Sequence, residues 1–268
     1  MRFYWVDAFT GAAFRGNAAV VCLLDEELPD HRLALIAAEF NQPVTAFLRS
    51  GPFGFVLRWF TPTQELALCG HGTLAAAYAL YEAGLVPADQ PIEFSAPNDQ
   101  LVATREAGRI WLDFPRGQVS PASAPPAALA ALGVAEAVWF GRNDFEYVVE
   151  LESAEQVAAV RPDFGQVLAL PASRLVVTAA GGPGADFTSR VFVPALGINE
   201  DQVTGSAHAV LGPLWADRLG RTELTAVQAS ARGGELALRV LPDKVRLGGQ
   251  AVLIGQGELL VAGVPAVY

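Results

Sequence analysis

Apolar residues run along this chain in short blocks broken by Gly, Pro and Asn, and one block differs from the rest. Leu74-Ala75-Ala76-Ala77-Tyr78-Ala79-Leu80 has no polar side, which predicts a helix enclosed by protein on all faces. Its entry is Cys69-Gly70-His71-Gly72-Thr73, and the stretch before it, Leu57 to Pro62, reads as a strand. Upstream, residues 2–9 and 18–24 predict two strands joined by a turn over Gly11 to Asn17. Pro29-Asp30 opens a helix with Asp30 as its expected cap and Leu33, Ile36 and Phe40 on one buried face. Val44–Leu48 and Val56–Phe60 are strands, with Gly51-Pro52 turning between them. Leu101–Thr104 and Ile110–Phe114 predict a hairpin turning at Gly108.

From Pro115 to Pro126 the pattern lapses into Gly, Ser and Pro, as expected of a linker between domains. Beyond it a helix (Ala127–Leu132), strands at Ala137–Phe140 and Glu146–Leu151, and a helix over Ala154–Val160 are expected. Leu175–Thr178 and Phe187–Val193 form a pair around Gly181-Gly182-Pro183-Gly184.

The halves echo each other. Arg58-Trp59-Phe60-Thr61-Pro62 returns as Arg190-Val191-Phe192-Val193-Pro194. Gly70 and Gly205, 135 positions apart, each open an apolar helix, and the same offset carries Leu101 to Leu236, Arg109 to Lys244 and Leu112 to Leu247. The second helix contains Pro213, where a kink is expected. This order predicts an α+β protein of two similar domains, residues 1–117 and 118–268.

Composition narrows the functional classes. A hydrophobic share of 52% against 17% charged residues excludes a disordered chain. The net charge of −10, without any Lys/Arg cluster, argues against nucleic acid. No apolar run approaches the roughly 18 residues of a membrane span, and Met1–Asp7 reads as a strand without a signal-peptide pattern. A cytoplasmic location and no membrane partner are therefore expected. Cys22, within an apolar strand, reads as inert core, and His31, His71 and His208 lack metal-ligand spacing. His31 is expected on a solvated helix turn and His208 inside the second buried helix as scaffold.

The N-terminus of a buried helix carries unsatisfied N–H groups and partial positive charge. With Gly70 and Gly72 at one such end and Thr204-Gly205-Ser206 at the other, two helix starts facing a cleft between the domains would hold a small carboxylate. Asn17 would line that cleft, and Thr73 would stand at its edge.

Taken together, Tyr4-Trp5-Val6-Asp7-Ala8-Phe9-Thr10, Gly16-Asn17-Ala18-Ala19-Val20, Phe60 to Thr73, Asp186 to Phe192, Glu200 to His208 and Ala231 to Leu236 resemble the phenazine-biosynthesis isomerase-like (PhzF-like) family. That family lies within the diaminopimelate epimerase and proline racemase superfamily. The resemblance implies two pseudo-symmetric barrel-like mixed sheets, each wrapped round a central helix, commonly as a homodimer, with neither metal nor organic cofactor. It implies an isomerase that moves a proton on a small cyclic or amino-acid-like carboxylate. The family's catalytic residues carry over to His71, as donor to a developing oxyanion, to Asp201, which orients a polar group of the substrate, and to Ser206, which holds the carboxylate with the N–H groups near Gly205. The proton-shuttling Glu of the family's Asn-x-x-Glu-Thr-Ala-Phe pattern does not carry over. The chain reads Asn41-Gln42-Pro43-Val44-Thr45-Ala46-Phe47, and Val44 cannot hold a proton. Glu39, in the preceding helix, and Glu65, with a structural role, are not convincing substitutes.

Cys69-Gly70-His71-Gly72 also resembles the first motif of proline racemases, in which the Cys is an acid/base thiol. The second thiol of that pair is replaced here by Thr204, which disfavours a two-thiol racemase and leaves open a one-base racemase, epimerase or dehydratase using Cys69. A third reading is a small-molecule binding paralogue that lost its base with Val44.

Overall fold

The computed structural model describes residues 1–97 and 99–260. Two compact units divide it: Met1–Asp113 with the C-terminal segment from Gly248, and Phe114–Leu247.

The first unit contains β1 (Arg2–Ala8), β2 (Asn17–Leu24), α1 (Asp30–Phe40), β3 (Val44–Gly51), β4 (Gly54–Phe60), β5 (Glu65–Leu66), α2 (Gly70–Glu82), β6 (Ile92–Ser95), β7 (Gln100–Glu106) and most of β8 (Arg109–Pro115). The second contains β9 (Ser120–Pro121), α3 (Pro126–Leu132), β10 (Trp139–Arg142), β11 (Glu146–Glu150), α4 (Ala154–Ala159), α5 (Phe164–Leu168), β12 (Arg174–Ala180), β13 (Phe187–Phe192), β14 (Glu200–Asp201), α6 (Gly205–Leu219), β15 (Glu223–Gln228), β16 (Gly234–Val240) and β17 (Lys244–Gly249). The chain then returns as β18 (Ala251–Glu258), antiparallel to β1 from Ala8↔Ala251 to Arg2↔Glu258.

The pairing pattern is the same in both units. β1–β2 and β10–β11 are antiparallel, β2–β3 and β11–β12 parallel, β3–β4 and β12–β13 antiparallel. β4–β6 and β13–β15 are parallel, and β6–β7 and β15–β16 antiparallel. Even the two-residue strands β5 and β14 are each antiparallel to the strand before them.

Each parallel pair needs a crossover, and the helices supply it. α1 links β2 to β3 on one face, burying Leu33, Ile36 and Ala37 against Val20, Cys22, Phe47 and Phe60. α2 links β4 to β6 on the other and packs against β1, β2, β3, β7 and β18. Residues His71 to Ala77 of α2 are all buried, as its uniformly apolar sequence requires. In the second unit α3, α4 and α5 cover the outer face over Phe140, Tyr147, Val149, Leu175, Val177 and Phe192. α6 is the central helix there, continuous from Gly205 to Leu219 across Pro213.

Three expectations are corrected. The division is not at residue 118 with all that follows in one domain, because β18 completes the first unit's sheet beside β1. The Pro115–Pro126 stretch is not a free linker, since Ser120 and Pro121 pair with Arg142 and Gly141 of β10. Asp30 does not cap α1: the N-cap is Pro29, and the Asp30 carboxylate instead accepts from Arg58 Nη1 at 2.8 Å. No helix among the described residues is long and apolar enough to cross a membrane.

Candidate functional site

The expected site residues form two clusters, one at the start of each central helix. In the first unit, Cys69 is the N-cap of α2, with extended backbone and no side-chain capping bond. Its carbonyl accepts the Thr73 hydroxyl at 2.7 Å and the Thr73 N–H at 3.0 Å, so Thr73 serves the helix start itself. The Cys69 Sγ lies 3.5 Å from His71 Nδ1, and the Asn17 side-chain nitrogen lies 3.3 Å from the same ring atom. With the Asn17 amide donating, Nδ1 is the acceptor nitrogen and Nε2 carries the proton. Asn17 is fully buried, and Cys69 and His71 nearly so. Asn17, Cys69 and His71 are thus brought together by β2 and α2.

Gly70 opens the helix partly exposed. Gly72 differs, because a Cβ built on it would lie 2.8 Å from Trp59 Cδ1, 3.2 Å from Cys69 Sγ and 3.2 Å from Val44 Cγ1. The missing side chain is therefore a packing requirement, and this side of Gly72 is filled by protein rather than open to an anion. The same contact places Val44, the first residue of β3, beside the start of α2. Val44 is fully buried there and presents an apolar wall to Gly72. Neither nearby carboxylate in sequence takes the place of the family's glutamate. Glu39 is exposed on the outer helix α1, and Glu65 is gripped by Arg58 through two bonds of 2.7 Å. Cys22 is inert as expected: it is fully buried, and burial pushes its thiol up to about 12.

In the second unit Thr204 is the N-cap of α6, where Cys69 stands in the first. Its hydroxyl donates to Asp201 Oδ2 at 2.7 Å, which commits it as a donor. Gln228, buried at the end of β15, closes the loop: its Oε1 accepts the Thr204 N–H at 2.8 Å, and its Nε2 donates to the Asp201 carbonyl at 2.6 Å. A Cβ on Gly205 would meet Phe114 Cζ at 3.2 Å, so this glycine too is set by packing. Ser206, exposed in the first turn, accepts from Arg174 Nη1 at 2.8 Å. Arg174 in turn is held by Glu146, with Nε and Nη2 at 2.8 and 2.7 Å from Oε2.

His208 lies one turn further into α6 and is scaffold. Its Nδ1 is 2.8 Å from the Thr204 carbonyl and its Nε2 3.2 Å from the Ser189 hydroxyl, which assigns a neutral ring protonated at Nδ1. It stacks on Phe187, itself stacked on Trp215. Complete burial lowers its pKa to about 4. His31 is exposed on α1. Among the described residues no group of three or more His, Cys, Asp or Glu is placed to hold a metal ion.

Sequence reasoning missed Arg174, Glu146, Gln228 and Ser189. Arg174 and Glu146 begin strands and Gln228 ends one, positions usually solvated. Only the parallel register Glu146↔Arg174 shows that the first two face each other, and that register is not written in either segment alone.

Comparison with known proteins agrees with this architecture. Residues 6–257 match the family described as phenazine biosynthesis-like protein, PhzC-PhzF. A protein of Halalkalibacterium halodurans named an uncharacterized isomerase is 42% identical over 260 residues, covering 96% of this chain and 98% of that protein. The crystal structure of a PhzF-family phenazine biosynthesis protein from Enterococcus faecalis superposes with a TM-score of 0.93 at 39% identity, covering 97% of this chain and 99% of that one. A probable proline racemase from Agrobacterium radiobacter shares the fold at a TM-score of 0.63 and 12% identity, over 97% of this chain and 93% of the other.

Proposed function

The chain belongs to the phenazine biosynthesis-like (PhzC-PhzF) family, and from that premise we propose that it is an isomerase that moves a proton on a small cyclic or amino-acid-like carboxylate. The proposal needs neither metal nor organic cofactor. The observation that carries it is the buried Asn17–His71–Cys69 cluster on the positive end of α2. Asn17 fixes the imidazole so that Nε2–H is the donor, the form suited to an oxyanion that develops when a carbon beside a carbonyl loses its proton. Asp201 and Ser206 take the roles of orienting a polar group and holding the carboxylate. Because Val44 cannot act as base, the proton must be taken by another group.

A second reading of the reaction, racemisation, epimerisation or dehydration, is favoured by one distance. Cys69 Sγ is 3.5 Å from His71 Nδ1 at a helix N-terminus, where the positive end of the dipole favours a thiolate. In that reading the thiol proton passes to His71 Nδ1 in place of the Asn17 hydrogen bond, and the ring becomes an imidazolium. The thiolate then takes the substrate proton, and the electron pair of the broken C–H bond stays on the substrate as an enolate.

The test is solvent exchange: a panel of cyclic amino and hydroxy acids is incubated with the protein in D₂O and read by NMR for deuterium at carbon. Exchange with movement of a double bond supports the isomerase. Exchange at one carbon that falls about 10²–10⁴-fold in Cys69→Ser supports the second reading. Calorimetric binding of panel members without exchange would refute both and leave a binding protein.

A further inference from the structure

The repeat places Arg174 where the first unit has Val44. Each is the first residue of a strand (β12 and β3), and the next residue pairs with the Phe that ends the following strand, Leu175↔Phe192 and Thr45↔Phe60. Each also meets the first turn of its unit's central helix, Val44 at Gly72 and Arg174 at Ser206. One unit therefore presents an apolar residue at this position and the other a guanidinium.

We infer that Arg174 is a positioning residue that fixes Ser206 as a hydrogen-bond donor toward an incoming anion. A guanidinium only donates, so the bond of 2.8 Å from Arg174 Nη1 occupies an acceptor site on Ser206 Oγ and leaves the hydroxyl proton to point elsewhere. That bond is the one side-chain hydrogen bond of Ser206 among the described residues. Ser206 is exposed, so its proton faces whatever arrives at the start of α6.

The arrangement is built to hold the guanidinium still. Arg174 and Glu146 are 6% and 1% exposed, and Asn143 donates to the other Glu146 oxygen at 3.2 Å. The Asn143 Oδ1 accepts the Phe145 and Glu146 N–H groups at 2.9 and 2.8 Å, and the Phe145 ring lies 5.0 Å from the guanidinium carbon. Glu146 pairs Arg174 and offsets its charge at a distance, so the guanidinium acts on a ligand chiefly at short range, through the hydroxyl it orients and polarises.

A ligand-free test replaces the hydroxyl by a reporter. In Ser206→Cys the guanidinium donates to a sulfur and favours its thiolate. Iodoacetamide alkylation at position 206 is followed against pH by peptide mass spectrometry, which separates it from Cys22 and Cys69. The expected midpoint lies about one pH unit or more below that of Ser206→Cys/Arg174→Met/Glu146→Gln, in which both charges are removed together. If that neutral pair does not fold, Ser206→Cys/Arg174→Lys is expected to titrate in between, since an ammonium keeps the charge but not the fork. Equal midpoints with and without Arg174 overturn the inference.

A second arm rests on the proposed carboxylate reading. Anthranilate, with anthranilamide as the uncharged control, is titrated calorimetrically into wild type, Arg174→Lys, Ser206→Ala and the double variant. Arg174→Lys is expected to weaken anthranilate several-fold when Ser206 is present and not at all when it is Ala. An equal loss in both backgrounds would mean a merely structural role. No binding of anthranilate by wild type, with the Arg174-dependent thiol shift intact, counts against the carboxylate reading and leaves the orientation of Ser206 standing.

Discussion

Lowering the pH from 7 to 5 should destabilise this protein through His208, and the size follows from its surroundings. Burial, helped by the positive charge of Arg174 and only partly opposed by the hydrogen bond to the Thr204 carbonyl, holds its folded-state pKa at about 4, while in the unfolded chain it titrates near 6.5. Because the folded value is the lower one, the unfolded chain binds the proton first as the pH falls. The stabilisation is therefore complete above about 6.5, declines between about 6.5 and 4, and is gone below. The full separation corresponds to roughly 3 kcal/mol, of which about 2 kcal/mol should be lost between pH 7 and 5. Urea unfolding followed by tryptophan fluorescence at pH 7, 6 and 5 measures it, with His208→Gln as the reference for all other titrating groups. The wild type should lose about 2 kcal/mol more than the variant over that window. Parallel pH profiles in the two proteins would refute the reasoning, because they would mean that His208 accepts its proton without loss of structure.

The remaining predictions concern the two helix starts. Gly72→Ala forces the Trp59 indole to move, and overpacking of about 1–3 kcal/mol should outweigh the helix-propensity gain of about 1 kcal/mol, lowering the melting temperature in differential scanning calorimetry. Gln228→Leu leaves the Thr204 N–H without its acceptor and should destabilise by about 1–3 kcal/mol in the same assay. Val44→Glu puts a buried carboxyl at the start of α2, against Gly72, where burial raises its pKa toward that of a general base. Deuterium exchange on the panel should rise by an order of magnitude or more. A folded Val44→Glu protein without such a gain would show that the wall is not the former place of the base.

The repeat was the most legible part of the fold because it is carried by backbone-determining residues. The offset that relates Gly70 to Gly205 also relates Glu65-Leu66 to Glu200-Asp201, the two short strands, although nothing in those dipeptides alone marks a strand. Local composition misled at Pro115–Pro126, where Ser120 and Pro121 read as linker yet pair with β10, a contact set by a distant segment. Asp30 had the chemistry of a cap, but an arginine at close range took its carboxylate. At the site, Asn17, Cys69 and His71 do meet, as do Asp201, Thr204 and the start of α6. What could not be read was the second layer. Arg174 and Gln228 act on residues 32 and 24 positions away, and only strand register brings them there. Gly72 looked like an opening for an anion and proved to be a close fit to Trp59, a distinction that only packing can make.

The pairing of β18 with β1 has a consequence for how the chain is made. Residues 2–8 leave the ribosome long before their neighbours at 251–258. The second unit's strands β9 to β17 are all synthesised before then, so that unit can assemble while translation continues. The first must wait with one edge of β1 unpaired, a template on which another nascent chain could add a strand. Ribosome-bound chains arrested before residue 251 should accordingly protect the second unit from protease earlier than the first.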